Sequence, residues 1–312
     1  MFAPRVTIVI PNWNGRHLLE QHMPAVQAAV REYPGEADIV VVDDASTDDS
    51  ADFLHERMPF VRVVRRKQNG GFAAACHSGI QGTNSAVVVL LNTDVEPRAN
   101  FLLPLVSHFS DSSVFAVSCL GLRFGGVTPG EGAKVPLFRR GLLKLRNSFP
   151  DGACTTFFAV GGHCALDREK FLELDGFDDL FRPFYWEDVD LCYRAWKRAW
   201  RTIYEPHSVV IHRHQEGAIA TSFSRRRAKR MNQRNRLLFI WKNLSSWHLL
   251  LRTHIPMLAL RTTLGILWAD FDFYGALISA IPQLPAMLKA RRLQRIQQMI
   301  TDEAIFRLWS VQ

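Results

Sequence analysis

The chain has 312 residues, 47% of them hydrophobic and 22% charged, a balance that excludes a disordered or fibrous protein and fits an ordinary globular one. That length accommodates one large α/β domain with an appendage, or two modest domains. The net charge of +8 is uneven: residues 1–200 carry 21 Lys/Arg against 24 Asp/Glu, and residues 201–312 carry 17 against 6.

The first hundred residues repeat one pattern: a short β-branched run, a polar or glycine-rich corner, then a helical stretch. "RVTIVIPNWNG" predicts strand then loop, and "RHLLEQHMPAVQAAV" has helical spacing. "ADIVVVDDAST" predicts a strand with an acidic corner, followed by the helix of "DDSADFLHERM". "VRVVRRKQNGGFAAACHSGIQG" reads as strand, loop and helix, and "SAVVVLLNTDVEP" as strand and corner. Runs of nearly unbroken Val, Ile and Leu suit strands buried on both faces, as in parallel sheets. Alternation with helices implies right-handed βαβ units and a doubly wound, mostly parallel, Rossmann-like sheet. Ligands of such sheets sit beyond the carboxyl ends of the strands, where this chain places Asn12, Asp43, Asp44, Asn69, Gly71, Asn92 and Asp94. The start runs straight into a strand at residues 6–10, so no signal peptide is expected. The five cysteines lack CxxC spacing, which predicts free thiols in a reducing compartment rather than a disulfide framework or zinc site.

Each polar corner has a structural role and a functional one. In "DDASTDDS", Ser46 or Thr47 can cap a helix, with Asp48 and Asp49 favoured by its dipole. Two acids directly at the strand end can also accept hydrogen bonds from a uracil- or thymine-type base. In "LNTDVEP", Asp94 is either a turn residue before Pro97 or a carboxylate that holds a diphosphate through a divalent cation. Residues 121–150 are glycine-rich and basic without clean periodicity, and are read as a mobile excursion or lid near the site. Residues 153–180 return to order through "VGGHCAL", a helix at "DREKFLEL" and a turn at "DGFDD".

"FRPFYWEDVDLCYRAWKRAW" (residues 181–200) sets three acids among aromatic rings. Val189, Tyr193, Trp196 and Trp200 share one helical face, so most of the aromatics belong to the core. Glu187 and Asp188 fall in the helix's first turn, where unpaired N–H groups and the dipole favour an ionised carboxylate. Trp186 beside them offers a sugar-stacking platform next to a base. Asp190 is placed to pair with Arg194 at i+4. "VVIHRHQEG" ends another apolar run with His212 and His214, which alternate on one strand. Either can be structural, or one can complete a metal shell with Asp94.

Taken in order, "VTIVIPNWNG", "VVVDDASTDDS", "NGGFAAACHSGI", "VLLNTDV", "GFDDLFRPFYWEDVDLCYRAWKRAW" and "VVIHRH" resemble the successive motifs of the family 2 glycosyltransferases. The likeness is to the bacterial rhamnosyltransferase-like branch, and it runs from about residue 5 to about residue 243, ending in "RNRLLFIWKN". The resemblance implies a GT-A fold, a nucleotide-diphosphate sugar donor, Mn²⁺ or Mg²⁺, and an inverting transfer to a saccharide or lipid-linked saccharide in surface-polysaccharide synthesis. By position, Pro11, Asn12, Asn14, Asp43, Asp44, Asn69, Gly71, Asn92 and Thr93 would line the nucleotide site. Asp94 matches the final acid of the family's DxD, and His212 a histidine that completes its metal site. Asp188 matches the catalytic base, with Trp186, Glu187 and Gly162 on the acceptor side. The first acid of the DxD is Asn92 here, so the cation would meet one fewer charge. The resemblance divides residues 1–243 into a nucleotide half to about residue 100 and an acceptor half beyond it. A polyprenyl-phosphate sugar synthase and a non-catalytic nucleotide-sugar-binding assembly partner are the alternatives.

From 244 to 312 the chain alternates Leu/Trp/Phe-rich stretches with Arg and Lys, without a run of about 20 apolar residues for a membrane span. Amphipathic helices lying on an anionic membrane surface are expected, with the protein peripheral at the cytoplasmic face. The competing reading packs those helices on the domain itself or on a second copy in a homodimer. No nucleic-acid motif accompanies "SRRRAKRMNQRNR", so no nucleic-acid partner is expected.

Overall fold

A strand made wholly of Val, Ile and Leu has no polar face and must be covered on both sides. The computed structural model describes residues 2–266 and 269–309 and meets that demand; the parts of the sequence reading that fall on 1, 267, 268 and 310–312 lie outside the described residues. The chain begins β1 (Val6–Asn12), α1 (Arg16–Glu32), β2 (Ala37–Asp43), α2 (Ser50–Arg57), β3 (Arg62–Arg65), α3 (Gly71–Gln81), β4 (Val87–Leu91), β5 (Val95–Pro97) and α4 (Leu102–Ser107). It continues with β6 (Val114–Leu122), β7 (Pro129–Glu131), β8 (Ala133–Arg139), β9 (Leu142–Ser148), β10 (Cys154–Thr155), β11 (His163–Asp167), α5 (Arg168–Glu173), α6 (Glu187–Lys197) and β12 (Arg201–His212). Among the described residues six α-helices follow: α7 (Ala218–Ser222), α8 (Arg225–Asn243), α9 (Ile255–Leu264), α10 (Phe271–Ala280), α11 (Leu284–Gln297) and α12 (Asp302–Arg307).

The main sheet is mixed and mostly parallel, in the order β10-β12-β6-β11-β4-β1-β2-β3, with β5 beside β12 and β7 beside β6. Alternate residues of its strands feed two cores. Val9, Val40, Val42, Val88 and Leu90 pack with residues of α3, α6 and α8. Ile8, Ile10, Ile39, Val41 and Val89 pack on the other face with α1 and α4. Register then decides which polar groups meet. Asn12 lies opposite Asp43, His163 opposite Leu91 at the end of β4, and His212 opposite Val95. All five cysteines are free.

One expectation is corrected. Residues 121–150 are not an irregular excursion: β7 pairs with β6, and β8 and β9 form an antiparallel hairpin in continuous register. Its turn residues Arg140 and Gly141 both have positive φ, 50° and 70°, as the tight two-residue turns that match strand twist require. The chain beyond 243 is helical, as expected, and packs on the domain in line with the competing reading of its composition. Ile305 and Trp309 join the core that holds Trp186 and Tyr193, and the buried Asp302 carboxylate accepts from the Ser246 N–H at 2.6 Å and pairs with Lys197. Among the described residues, no helix is long and apolar enough to cross a membrane.

Asp190 pairs with Arg194 as expected, Nε to Oδ2 at 2.8 Å, but its environment is richer than a surface i,i+4 pair. The carboxylate is wholly buried and also accepts from Lys242 Nζ at 2.7 and 2.8 Å and from Asn243 Nδ2 at 2.7 Å. Removing one partner of such a set leaves an uncompensated charge out of water. Asp190→Ala is therefore expected to lower unfolding stability by about 3–5 kcal/mol, read from urea titration; a change below about 1 kcal/mol would show the network to be energetically neutral.

Candidate active site

The parallel strands β1, β2 and β4 end on one side, and their last residues form the first wall of a cleft. Asn12 is buried, with Nδ2 3.3 Å from both Asp43 Oδ1 and Ser46 Oγ. Its Oδ1 has no protein partner, and a buried polar atom left over at a strand end points to something bound there. Asn14, at φ 52°, accepts the Thr47 N–H at 2.7 Å and donates its own N–H to Ser46 Oγ at 2.9 Å. Ser46 and Thr47 thus brace the β1 loop instead of capping α2, which begins at Ser50 with Asp48 Oδ1 accepting the Ser50 N–H at 3.1 Å.

The two adjacent acids part company. Asp44 accepts the N–H groups of Gly70 at 3.0 Å and Gly71 at 2.7 Å and pairs with Arg66 at 3.2 Å, so it anchors the start of α3. Asn69 Oδ1 helps by accepting the Gly71 N–H at 3.1 Å. Gly71 sits at φ +80°, a backbone conformation that a side chain would strain. Asp43 is also buried and receives the longer Asn12 contact, at 3.3 Å. Pro11 lies opposite Val42 in the sheet register.

After β4, the Asn92 N–H donates to Gly162 O at 2.8 Å. A Cβ on Gly162 would come within 2.6 Å of the Asn92 amide, so this glycine makes room for Asn92. Thr93 O accepts from His22 Nδ1 at 2.7 Å. The Asp94 carboxylate is buried, 3.4 Å from His212 Nε2. Burial alone would raise the Asp94 carboxyl, but the His212 hydrogen bond and charge outweigh it and hold it low. The same burial would lower His212, yet Asp94 and Glu131 together push it up to about 9. Carboxylate and imidazole converging in a buried corner fit a divalent cation such as Mn²⁺ or Mg²⁺, which Asp94 and His212 would hold. His214 stacks on His212 with ring centroids 3.6 Å apart but is itself exposed.

The opposite wall is the start of α6. Tyr185 and Trp186 both have positive φ, 73° and 77°, and turn the chain so that Glu187 and Asp188 open the helix. Asp188 accepts the Gly161 N–H at 3.1 Å and the Val189 N–H at 2.8 Å. Gly161 and Gly162 are neighbours, so the acid of α6 and the Asn92 corner are held by consecutive residues. Burial nonetheless prevails at Asp188: its carboxyl is raised despite those N–H groups and the charge of Lys134. The helix start does not keep it at an ordinary value, contrary to expectation. Beside it, burial and then the Asp188 charge push Glu187 up to about 8. Burial thus raises both carboxyls of this adjacent pair. Trp186 offers no stacking platform: it is 7% exposed, packs on Phe239 at 5.2 Å and donates Nε1–H to Asn232 at 2.9 Å.

Sequence reasoning missed three residues at this cleft. Glu131 of β7 bridges His163 Nε2 at 2.7 Å and His212 Nδ1 at 2.9 Å; the glycines around Glu131 and the small residues around His163 give no sign of this in the sequence. Lys134 of β8 is 8% exposed, donates to Asn147 Oδ1 at 2.7 Å, and lies in the field of both Glu131 and Asp188. Positions three apart point to opposite faces of a simple strand, so alternation alone would not have found both; the break at Gly132 puts them on separate strands.

Residues 7–174 match the family described as Glycosyl transferase family 2. The chain is similar to the pre-mycofactocin glycosyltransferase of Mycobacterium tuberculosis, 28% identical over 215 residues that cover 67% of this chain and 43% of that one. It is 38% identical over 96 residues, 29% of this chain and 28% of the other, to the undecaprenyl-phosphate 4-deoxy-4-formamido-L-arabinose transferase of Pseudomonas syringae. The chain thus spans less than half the length of these curated relatives. Among solved structures, the mannosyltransferase of Pyrobaculum calidifontis in complex with GDP-Man and Mn²⁺ superposes with a TM-score of 0.57 at 20% identity, covering 100% of this chain and 84% of that one. The shared architecture is the GT-A fold.

Linkage gives a test of the acid pair. With its folded pKa raised from 4.5 to about 8, Glu187 holds in the folded state a proton that the unfolded chain gives up. Its contribution to stability is complete below pH 4.5 and is lost as pH rises to about 8. Glu187→Gln removes the titrating group, so the variant is expected to lose less stability than the parent across that window. Urea midpoints measured at both ends check this, and parallel pH dependence in the two proteins would deny Glu187 the raised pKa.

Proposed function

The chain belongs to glycosyl transferase family 2, and from that premise we propose that it moves a sugar from a nucleotide-diphosphate donor to a saccharide or lipid-linked saccharide, with inversion at the anomeric carbon. The observation that carries this reading is the Asp188 carboxylate, held by the Gly161 N–H one residue from the glycine that backs Asn92. An acid on one wall therefore faces a corner of strand-end polar groups on the other.

In this reading the unpaired Asn12 Oδ1 and the Asp43 carboxylate beside it meet the base and ribose of the donor, while Pro11, Asn14, Asn69, Gly71, Asn92 and Thr93 shape that wall. Asp44 supports them from behind. A cation bound by Asp94 and His212 would supply positive charge for the departing diphosphate. Asp188 takes the proton of the attacking hydroxyl, and its raised pKa brings it closer to the value at which a base accepts a proton late in the reaction near neutrality. Glu187 stays protonated, and its buried, unpartnered Oε2 is free to orient the acceptor hydroxyl. The donors consistent with the sequence are dTDP-rhamnose and UDP-sugars.

A lipid-linked acceptor draws support from the C-terminal helices. Leu260, Ile278, Ile281, Leu288, Leu293 and Ile296 are each about half exposed or more, interspersed with Lys289, Arg292 and Arg295. Apolar side chains left in water beside cations suit an anionic membrane surface. The same surface suits a polyprenyl-phosphate acceptor, the second reading, which an acceptor phosphate would run with little need of a base.

Two outcomes are expected. Asp188→Asn should bind nucleotide as the parent does, by thermal shift, and lose turnover by about 10²-fold or more; a near-parental rate removes Asp188 from the role and favours the phosphate acceptor. The protein should sediment with anionic liposomes at low salt and be released at high salt. Retention in the supernatant with anionic and neutral vesicles alike would leave the exposed apolar face to a protein partner.

A further inference from the structure

His212 has two ring nitrogens and the structure uses them differently. Nε2 faces Asp94 at 3.4 Å and Nδ1 faces Glu131 Oε2 at 2.9 Å. One imidazole cannot offer both nitrogens to one ion, so Glu131 and Asp94 stand on opposite sides of the ring. Glu131 is itself fixed from behind: its Oε2 lies 2.7 Å from Nε2 of the fully buried His163. His163 Nδ1 has no partner, so the ring's proton belongs on Nε2, where the carboxylate accepts it. Gly121 of β6 leaves the space for this arrangement, since a Cβ there would come within 2.9 Å of Glu131 Oε2 and 3.3 Å of His163 Nε2.

We propose that Glu131 and His163 are positioning residues for the cation: Glu131 accepts the Nδ1–H of His212 and so presents the Nε2 lone pair to an ion shared with Asp94. A neutral imidazole carries one N–H, and which nitrogen bears it is set by the hydrogen bond made at the other edge. A carboxylate at Nδ1 both selects the tautomer that can ligate at Nε2 and makes that nitrogen a stronger donor. It also brings a negative charge close to an ion that meets Asn92 where the resemblance leads one to expect an acid. The inference rests on reading Asp94 and His212 as the cation pair, and assigns to the hairpin region a task beyond closing the sheet edge.

The test uses the full chain and Mn²⁺ alone, followed by electron paramagnetic resonance of free and bound ion. The parent should show hyperfine coupling to one histidine nitrogen. Glu131→Gln should weaken Mn²⁺ binding about 10- to 100-fold while leaving the coupled nitrogen count unchanged. Because His214 stacks on His212 and lies 3.6 Å from Glu131, coupling to a second histidine nitrogen that survives His214→Ala would place His163 in the ion's own coordination shell and overturn the proposal, as would parental affinity in Glu131→Gln or no Mn²⁺ uptake by the parent. Should Glu131→Gln fail to fold, His163→Gln, which retains a donor, and His163→Phe, which does not, read the same property: only the second should weaken the ion, and equal affinities overturn the assignment. Sugar transfer and nucleotide binding by the same preparations report separately on the catalytic reading, which survives a negative result here.

Discussion

The placement of α6 depends on a turn that its own sequence disfavours. Tyr185 and Trp186 are bulky residues in the left-handed region, where each costs about 1–3 kcal/mol. The side chain of Asn235, wholly buried on α8, offsets that cost. Its Nδ2 lies 2.7 Å from Phe181 O, 2.9 Å from Phe184 O and 2.8 Å from Tyr185 O, gathering the carbonyls that a left-handed turn would otherwise strand. Asn232, one turn earlier, holds the Trp186 indole. Because the turn is fixed, Glu187 and Asp188 open a helix instead of continuing a loop, and one turn later Asp190 reaches Lys242 and Asn243 on the same α8. The two helices act as one body, and the acidic wall of the cleft inherits its position from a helix that contributes no residue to that wall.

The chain end is tied into the same body. Asp302 joins Lys197, Tyr193 and the N–H groups of Ser245 and Ser246, so it bonds both α6 and the segment leaving α8. Arg291 of α11 donates to Trp241 O and Leu244 O, each at 2.6 Å, satisfying carbonyls at the C-terminal end of α8 that a helix leaves open. The C-terminal region therefore has two characters. Its polar anchors and the side chains of α12 face the catalytic body, while α9 to α11 leave apolar residues outward. The reading that packs these helices on the domain holds, and it leaves residues outward because an amphipathic helix needs only one of its faces to pack.

The alternating layers were legible because Val-rich runs of four to seven residues have a single physical solution, and strand-end polar corners follow from that solution directly. Asp94 and His212 were brought together by register, as expected from two strand ends. What escaped was fixed by tertiary contact. Glycines made residues 121–150 read as loop, yet Arg140 and Gly141 supply a hairpin turn, and Glu131 beside Gly132 is a strand residue. Trp186 read as a platform because the sequence gives no sign of its left-handed φ, which turns the ring into the core. Asp43 and Asp44 were indistinguishable in sequence; only the distant Gly70 and Arg66 separate them.

The two walls solve the same electrostatic problem by different means. Acids brought together out of water cannot all stay charged. On the α6 wall, among the described residues, no cationic side chain bonds to the pair, and burial raises both carboxyls. On the facing wall imidazoles separate the acids, Asp94 and Glu131 on either edge of His212 and His163 behind, and both carboxyls are held low. Lys134, buried and without a carboxylate in direct contact, stands in the field of both walls. Charge on one wall is thus matched to accepting a proton, and on the other to holding positive charge. The inverting displacement proposed above would use that asymmetry across the reacting carbon, and it would be lost if the acids of either wall were neutralised in the manner of the other.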